Sequence, residues 1–335
     1  MLYSFMCLPI YGGDDAKEVK MLLTDQIYHK LFEEILKGVF VPGERFLTEQ
    51  ETMERFGASR ITVRRAFARL EENNIILRRR KLGTVVNNTF AAAKGELRTI
   101  GALLPTSDPF ARSFLESLCK EAAEQDVITV LEPVDSGSGQ NEAVIRLASH
   151  GVRDIVVWGM DRSVDSSLFL RLRILGVNLV FFDRINPGDI ADYVCLDNES
   201  AVKTLLDQAQ KQGIKHLFFA DSAWLDVDTN KERCRFFQKE CVKRNISGGL
   251  ELPAEFPPNS GILAVNVATA LALLDRNVPL FVIDALPENC RGAGVCIKQP
   301  MEKMAAACFH SLREQRRLGS RWRAKEFRIS GELVL

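Results

Sequence analysis

Two domains of the α/β class are predicted by three observations. A capped helix pair with a basic hairpin behind it occupies the N-terminal quarter of the chain, a small polar stretch follows, and from Thr99 onward short apolar runs alternate with amphipathic segments. That alternation is the pattern of parallel βαβ units, here a doubly wound sheet region. At 335 residues the chain is long enough for two separate cores.

Residues 1–20 are read as a loose leader. Their opening, MLYSFMCLPIYGGDDA, is apolar for its first eleven residues but lacks the basic start and small-residue cleavage site of a secretory signal. Met21 is a candidate start, and an extra strand or interface arm is the alternative.

The first domain spans 21–88. Thr48 and Glu51 have capping-box spacing and open a short helix, Gly57 stops it, and Ser59 caps a second helix over 60–73. Val63, Ala66, Phe67 and Leu70 form one stripe on that second helix, which buries against the first and against an earlier helix. This is the helix-turn-helix outline. Arg60 and Arg64 lie one turn apart off the stripe, and an arginine fork can donate two hydrogen bonds to the guanine edge in the major groove. Ser59 and Thr62 sit at the helix start, where recognition helices touch bases or phosphates. Arg65 and Arg69, with Glu72 beyond them, read as a surface ion-pair face. Arg78-Arg79-Arg80-Lys81 then forms a hairpin tip suited to neutralising phosphates, the bland alternative being a solvated face.

Residues 89–98, within the small and polar run that starts at Asn87, are the linker, and 99–335 form the second domain. Strands are expected at 100–104, 127–131, 154–158, 178–182, 216–220, 262–265 and 280–283. Helices are expected at 113–125, 142–149, 167–175, 200–212, 229–243, 268–274 and 301–315. Ligands of such sheets sit beyond the carboxyl ends of the strands. The residues there include Asp108 with Phe110, Asp161-Arg162, Asp183-Arg184, Asp197-Asn198, Asp221-Ser222 and Asp284, with Phe114, Trp158 and Trp224 nearby. Carboxylates, an arginine and aromatic faces suit a sugar, although Asp and Asn also follow strands as ordinary helix caps.

Composition narrows the function. Formal charge is zero, yet Arg55 to Lys81 holds nine basic residues against Glu71 and Glu72, as expected for a basic DNA reader joined to a near-neutral partner. The eight cysteines are widely spaced with no Cys-x-x-Cys and no His at metal-ligand spacing, so idle thiols of a reducing cytoplasm are expected, with no metal and no cofactor. No apolar run reaches membrane-spanning length. An enzyme has little support: there is no P-loop, no Gly-x-Ser-x-Gly and no lysine in a pyridoxal-phosphate context.

Residues 24–88 resemble the winged-helix DNA-binding domain of the GntR family of bacterial regulators. The matching stretches are Ile35 to Gly38, Pro42-Gly43, Glu49, Ala58 to Arg64, Leu70-Glu71 and Gly83-Thr84. The resemblance implies DNA contacts at Ser59, Arg60 and Arg64 and a wing contact at Arg80; together with the residues above, the expected DNA-facing set is Thr48, Gln50, Ser59, Arg60, Thr62, Arg64, Arg80 and Lys81. Gln50 stands where the family has a base-contacting arginine, and Lys81 replaces a wing-tip glycine, which lysine imitates poorly at positive φ.

Residues 98–332 resemble the two-lobed LacI-type effector domain, which is similar to periplasmic sugar-binding proteins. The likeness rests on Ile100-Gly101 to Pro105, Asp108-Pro109-Phe110, Asp154 to Val157, Phe182-Asp183-Arg184, Val194 to Asn198, Arg233 with Phe237, and Ile297 to Pro300. It implies the domain order of arabinose-repressor-like regulators and places Arg184 on a pair of sugar hydroxyls. The positions after the strands make the expected set for a small sugar-like effector Asp108, Phe110, Arg184, Asp197 and Asp284, and a two-fold operator calls for a homodimer. Two departures stand out. Residues 245–261 are too short and too rich in Pro and Gly for the family's extra strand and helix, and Val267 follows Asn266 where the family has a ligand-binding aspartate. They leave open an alternative, a DNA-binding regulator whose second domain is a ligand-blind dimerisation scaffold.

Overall fold

A computed structural model describes residues 22–89, 95–134, 137–160, 164–221, 226–290 and 292–335. The expected leader, residues 90–94 of the linker, and Asp161, Arg162, Ser222 and Trp224 lie outside the described residues.

The N-terminal unit contains α1 (Leu23–Leu36), α2 (Glu49–Phe56), α3 (Arg60–Glu72), β1 (Ile76–Arg79) and β2 (Gly83–Val86). Its helix ends follow from local chemistry. Thr48 Oγ1 accepts from the Glu51 amide while the Glu51 carboxylate accepts from the Thr48 amide, and Gly57 ends α2 at φ 58. Ser59 caps α3 by accepting from the Thr62 amide. Val63, Ala66, Phe67 and Leu70 are buried in one cluster with Ile27, Leu31 and Phe32 of α1. Arg69 pairs with Asp25 of α1 and lies over the Tyr28 ring at 4.2 Å. The expected link to Glu72 along α3 is therefore replaced, because packing brings an α1 carboxylate within reach. In the antiparallel hairpin Arg79 faces Gly83, and Lys81 sits at the tip with φ 74.

The rest of the chain builds two lobes. The first holds β3 (Thr99–Leu104), α4 (Pro109–Glu124), β4 (Ile128–Pro133), α5 (Gly137–Ser149), β5 (Asp154–Val157), α6 (Ser166–Ile174), β6 (Asn178–Phe182) and β7 (Asp192–Leu196). The second holds α7 (Asn198–Lys211), β8 (His216–Ala220), α8 (Asp228–Arg244), β9 (Ser247–Gly249), β10 (Ser260–Ala264), α9 (Val267–Leu271), β11 (Leu280–Ile283) and β12 (Gly294–Lys298). The chain then returns to the first lobe for α10 (Met301–Leu318) and β13 (Glu326–Ile329), and ends in the second with β14 (Glu332–Val334). The sheets run β13-β7-β6-β5-β3-β4 and β14-β12-β11-β10-β8-β9, parallel except at β14. Three crossings thus join the lobes, after β7, β12 and β13.

Five strands of this domain go beyond the expected seven: β7, β9, β12, β13 and β14. In β7 buried Asp192 and Tyr193 interrupt the apolar run, while the edge strand β13 alternates exposed and half-buried side chains and the edge strand β14 is exposed throughout. In the short segment before β10 the strand forms as β9, but residues 250–259 hold no helix; Phe256 instead packs edge-on against Phe218 at 5.4 Å.

The N-terminal unit rests on the first lobe. Arg171 of α6 donates to the Leu36 carbonyl at 2.6 Å, Arg153 lies over Phe32, and the His29 and His150 rings approach to 4.9 Å. At the same end of the lobe Arg316 of α10 bonds the buried Asp154 carboxylate at 3.0 Å and the Gly95 carbonyl of the linker at 3.0 Å. No helix among the described residues is long and apolar enough to cross a membrane.

Candidate DNA-reading face and interlobe cleft

Arg60 and Arg64 both project from the exposed side of α3. Their guanidinium groups turn to the same carboxylate, Glu49 in the first turn of α2, at 3.6 and 3.1 Å, and Arg78 of β1 reaches it at 3.5 Å. One acid gathers three arginines and leaves the cluster positive. Arg78 also bonds Glu71, which raises its pKa. Thr48 and Ser59 direct their hydroxyls into the caps, with Ser59 Oγ 2.9 Å from Thr62 Oγ1. Gln50, exposed on α2, donates to Glu54 at 2.7 Å, and Arg80 and Lys81 stand exposed at the hairpin tip. The ordering role of Glu49 was not read from the sequence, because it depends on how α2 and α3 cross.

Between the lobes lies a cleft of about 710 Å³, lined by Asp108, Phe110, Arg184 and Asp284 of the expected effector set. The fifth member, Asp197, is not among the lining residues. It caps α7 by accepting from the Ser200 amide at 3.0 Å, so the ordinary-cap reading holds there. Asp108 does both jobs: its Oδ1 caps α4 through the Phe110 and Ala111 amides, and its Oδ2 lies 3.4 Å from Arg184. Arg184 also covers the Trp158 ring at 4.3 Å. Trp158 is buried and its face is taken, which leaves Phe110, among the described lining residues, as the ring available for stacking.

The floor contains groups outside the expected effector set. Arg233, buried on α8, donates to Asn198 and to the Val265 carbonyl and lies 3.9 Å from Asp183. Gln299, at the second crossing, donates to Asp284 at 2.7 Å. Asp183 and Asp284 adopt positive φ, 59° and 98°, a strain that aspartate tolerates better than bulkier residues and that holds both carboxylates at the strand ends. Burial raises the Asp183 pKa against the pull of Arg233 and Arg184. Burial likewise lifts Asp284 to about 7, opposed by Arg233 and Gln299 and assisted by Asp183 and Asp108. Four buried polar atoms of residues lining this cleft make no hydrogen bond: Trp158 Nε1 and Gln299 Oε1, and the Arg233 Nη2 and Asp183 Oδ1 atoms that face each other as an ion pair at 3.9 Å. Two are donors and two are acceptors. Asn230 and Arg233 beside Phe237 on the inner stripe of α8 were the sequence signal for this floor, since polar residues on a buried stripe call for partners.

These features define a class: a winged-helix DNA reader joined to a two-lobed, doubly wound domain of the periplasmic-binding-protein type. Residues 23–86 match the family described as bacterial regulatory proteins, gntR family, so the N-terminal unit is a GntR-type DNA-binding domain. The second domain is similar to three solved structures, which show its fold. A periplasmic binding protein/LacI transcriptional regulator from Alkaliphilus metalliredigens QYMF, complexed with D-xylulofuranose, is 16% identical over 71% of this chain and 97% of that one, with a TM-score of 0.58. A LacI family transcriptional regulator from Weissella paramesenteroides with bound sucrose is 14% identical over 71% and 97%, with a TM-score of 0.60. The periplasmic binding component of the arabinose ABC transporter of Shewanella sp. ANA-3, bound to L-arabinofuranose, is 13% identical over 70% and 91%, with a TM-score of 0.60.

Proposed function

We propose that this protein is a cytoplasmic transcription repressor that binds a two-fold operator as a homodimer and is released or tightened by a neutral sugar or polyol held between its lobes. The observation that carries the ligand reading is the set of four buried cleft atoms without a hydrogen bond, two of which, on Arg233 and Asp183, meet only as a loose ion pair at 3.9 Å. Leaving such a group unsatisfied costs about 1–3 kcal/mol, and a hydroxyl, both donor and acceptor, can serve either kind. The sugars bound by the three similar structures support the same chemistry. For the dimer, the support is edge strand β4, where Ile128, Val130 and Leu131 are exposed, an apolar edge that a second copy can cover.

The test is selection of bound fragments from genomic DNA, followed by affinity measurements on the recovered operator with a sugar and polyol panel, using Arg184→Ala as control. An effector that shifts operator affinity in the parent chain and not in the control upholds the reading. Silence across the panel favours the ligand-blind scaffold, to which Val267 and the helix-free segment before β10 lend some weight. Sedimentation of the full chain as a monomer at micromolar concentration, unchanged by Ile128→Asp, counts against the dimer.

A further inference from the structure

We infer that the effector is a deoxy sugar, carrying a methyl or methylene group in place of a hydroxyl where it meets the apolar patch on α9 of the second lobe. This rests on the sugar reading above and sharpens it. Both lobes bring polar groups to the cleft: Asp108, Asp183 and Arg184 from the first, Thr229, Asn230, Arg233, Asn266, Asp284 and Lys298 from the second. Within the second-lobe wall one patch is apolar, with Val267 and Leu271 one turn apart on α9 and Val227, Ala285 and Pro287 also in the lining.

None of these five side chains can donate or accept a hydrogen bond. Leu271 lines the cleft and is 40% exposed, so an apolar group of the ligand would cover it. The neighbouring amide at Asn266 is directed along the helix, where its Oδ1 caps α9 by accepting from the Thr269 amide at 2.9 Å. A hydroxyl brought against this wall loses its bonds to water and gains none, whereas a methyl group removes its own apolar surface and that of Leu271 from water. One methyl in an apolar pocket is worth about tenfold or more in affinity.

The experiment is calorimetry on the full chain with four matched pairs: L-fucose with L-galactose, D-fucose with D-galactose, L-rhamnose with L-mannose, and 2-deoxy-D-ribose with D-ribose. At least one deoxy member is expected to bind about tenfold tighter than its hydroxylated partner, with the heat lost in Arg184→Ala. Val267→Thr, nearly equal in volume, and Leu271→Gln, at an exposed position, are expected to narrow that gap. Binding in which the hydroxylated partner is equal or tighter, or a gap that both variants leave intact, overturns the inference while leaving the sugar reading in place. Absence of binding by all eight sugars overturns this inference and the sugar reading together.

Discussion

Asp284 ties stability to pH in the opposite sense from a carboxylate in an exposed ion pair. Its native pKa is about 7, held up first by burial, while in the unfolded chain an aspartate titrates near about 3.9. Between these values the native state holds a proton that the unfolded state has released. Stability is therefore greatest below the unfolded pKa, falls by about 1.4 kcal/mol per pH unit above it, and levels off once pH passes the native value. From about pH 5.5 to about pH 8.5 the group removes about 2 kcal/mol, an upper bound because its side chain meets cleft water. In a domain of this size that corresponds to a fall in melting temperature of about 4–8 °C. Thermal melts of the parent chain and of Asp284→Asn across this range bring out the effect, because titrating groups remote from the cleft cancel in the difference. The parent should lose stability relative to the variant as pH rises. Parallel curves, or a parent that gains on the variant, would refute the assignment of a protonated carboxyl at the cleft floor. A bound hydroxyl donating to the carboxylate favours its charged form, so polyol binding should release a proton and give a heat that varies with the buffer.

Three further outcomes follow from the geometry. Arg60→Ala and Arg64→Ala should each cost about 1–3 kcal/mol of discrimination at one base pair, and an unchanged footprint in the double variant would mean that α3 does not read the groove. Neutralising Arg80 and Lys81 should weaken binding to all DNA sequences and flatten the salt dependence by about one phosphate contact per charge, measured as the slope of affinity against salt. Arg316→Met leaves the buried Asp154 without its cation and should destabilise the chain by about 3–5 kcal/mol in denaturant titration; a loss below about 1 kcal/mol would show that Asn178, which donates to Asp154 at 2.9 Å, suffices alone.

The parts of the fold that were legible in the sequence are those encoded locally. Thr48, Gly57 and Ser59 mark helix ends through bonds to neighbours a few residues away, and the apolar runs of β6 and β8 announce themselves. Strands β12, β13 and β14 were missed because they are stabilised by partners distant in sequence, such as Glu326 of β13 lying beside Tyr193 of β7. The cleft divides in the same way. Asp108, Arg184 and Asp284 follow strands and could be named from position, whereas Gln299 follows a strand that was not foreseen and Arg233 lies mid-helix. Asp197 shows the limit of the positional rule, since it satisfies the pattern yet caps α7 outside the cleft lining.

Helix α10 is one uninterrupted rod of 18 residues, about 27 Å long. Its near end leaves the second crossing immediately after Gln299, on the cleft floor, and near its far end Arg316 holds the carbonyl of Gly95. One continuous element therefore spans from the residues beside Gln299 to the linker that carries the DNA-binding domain.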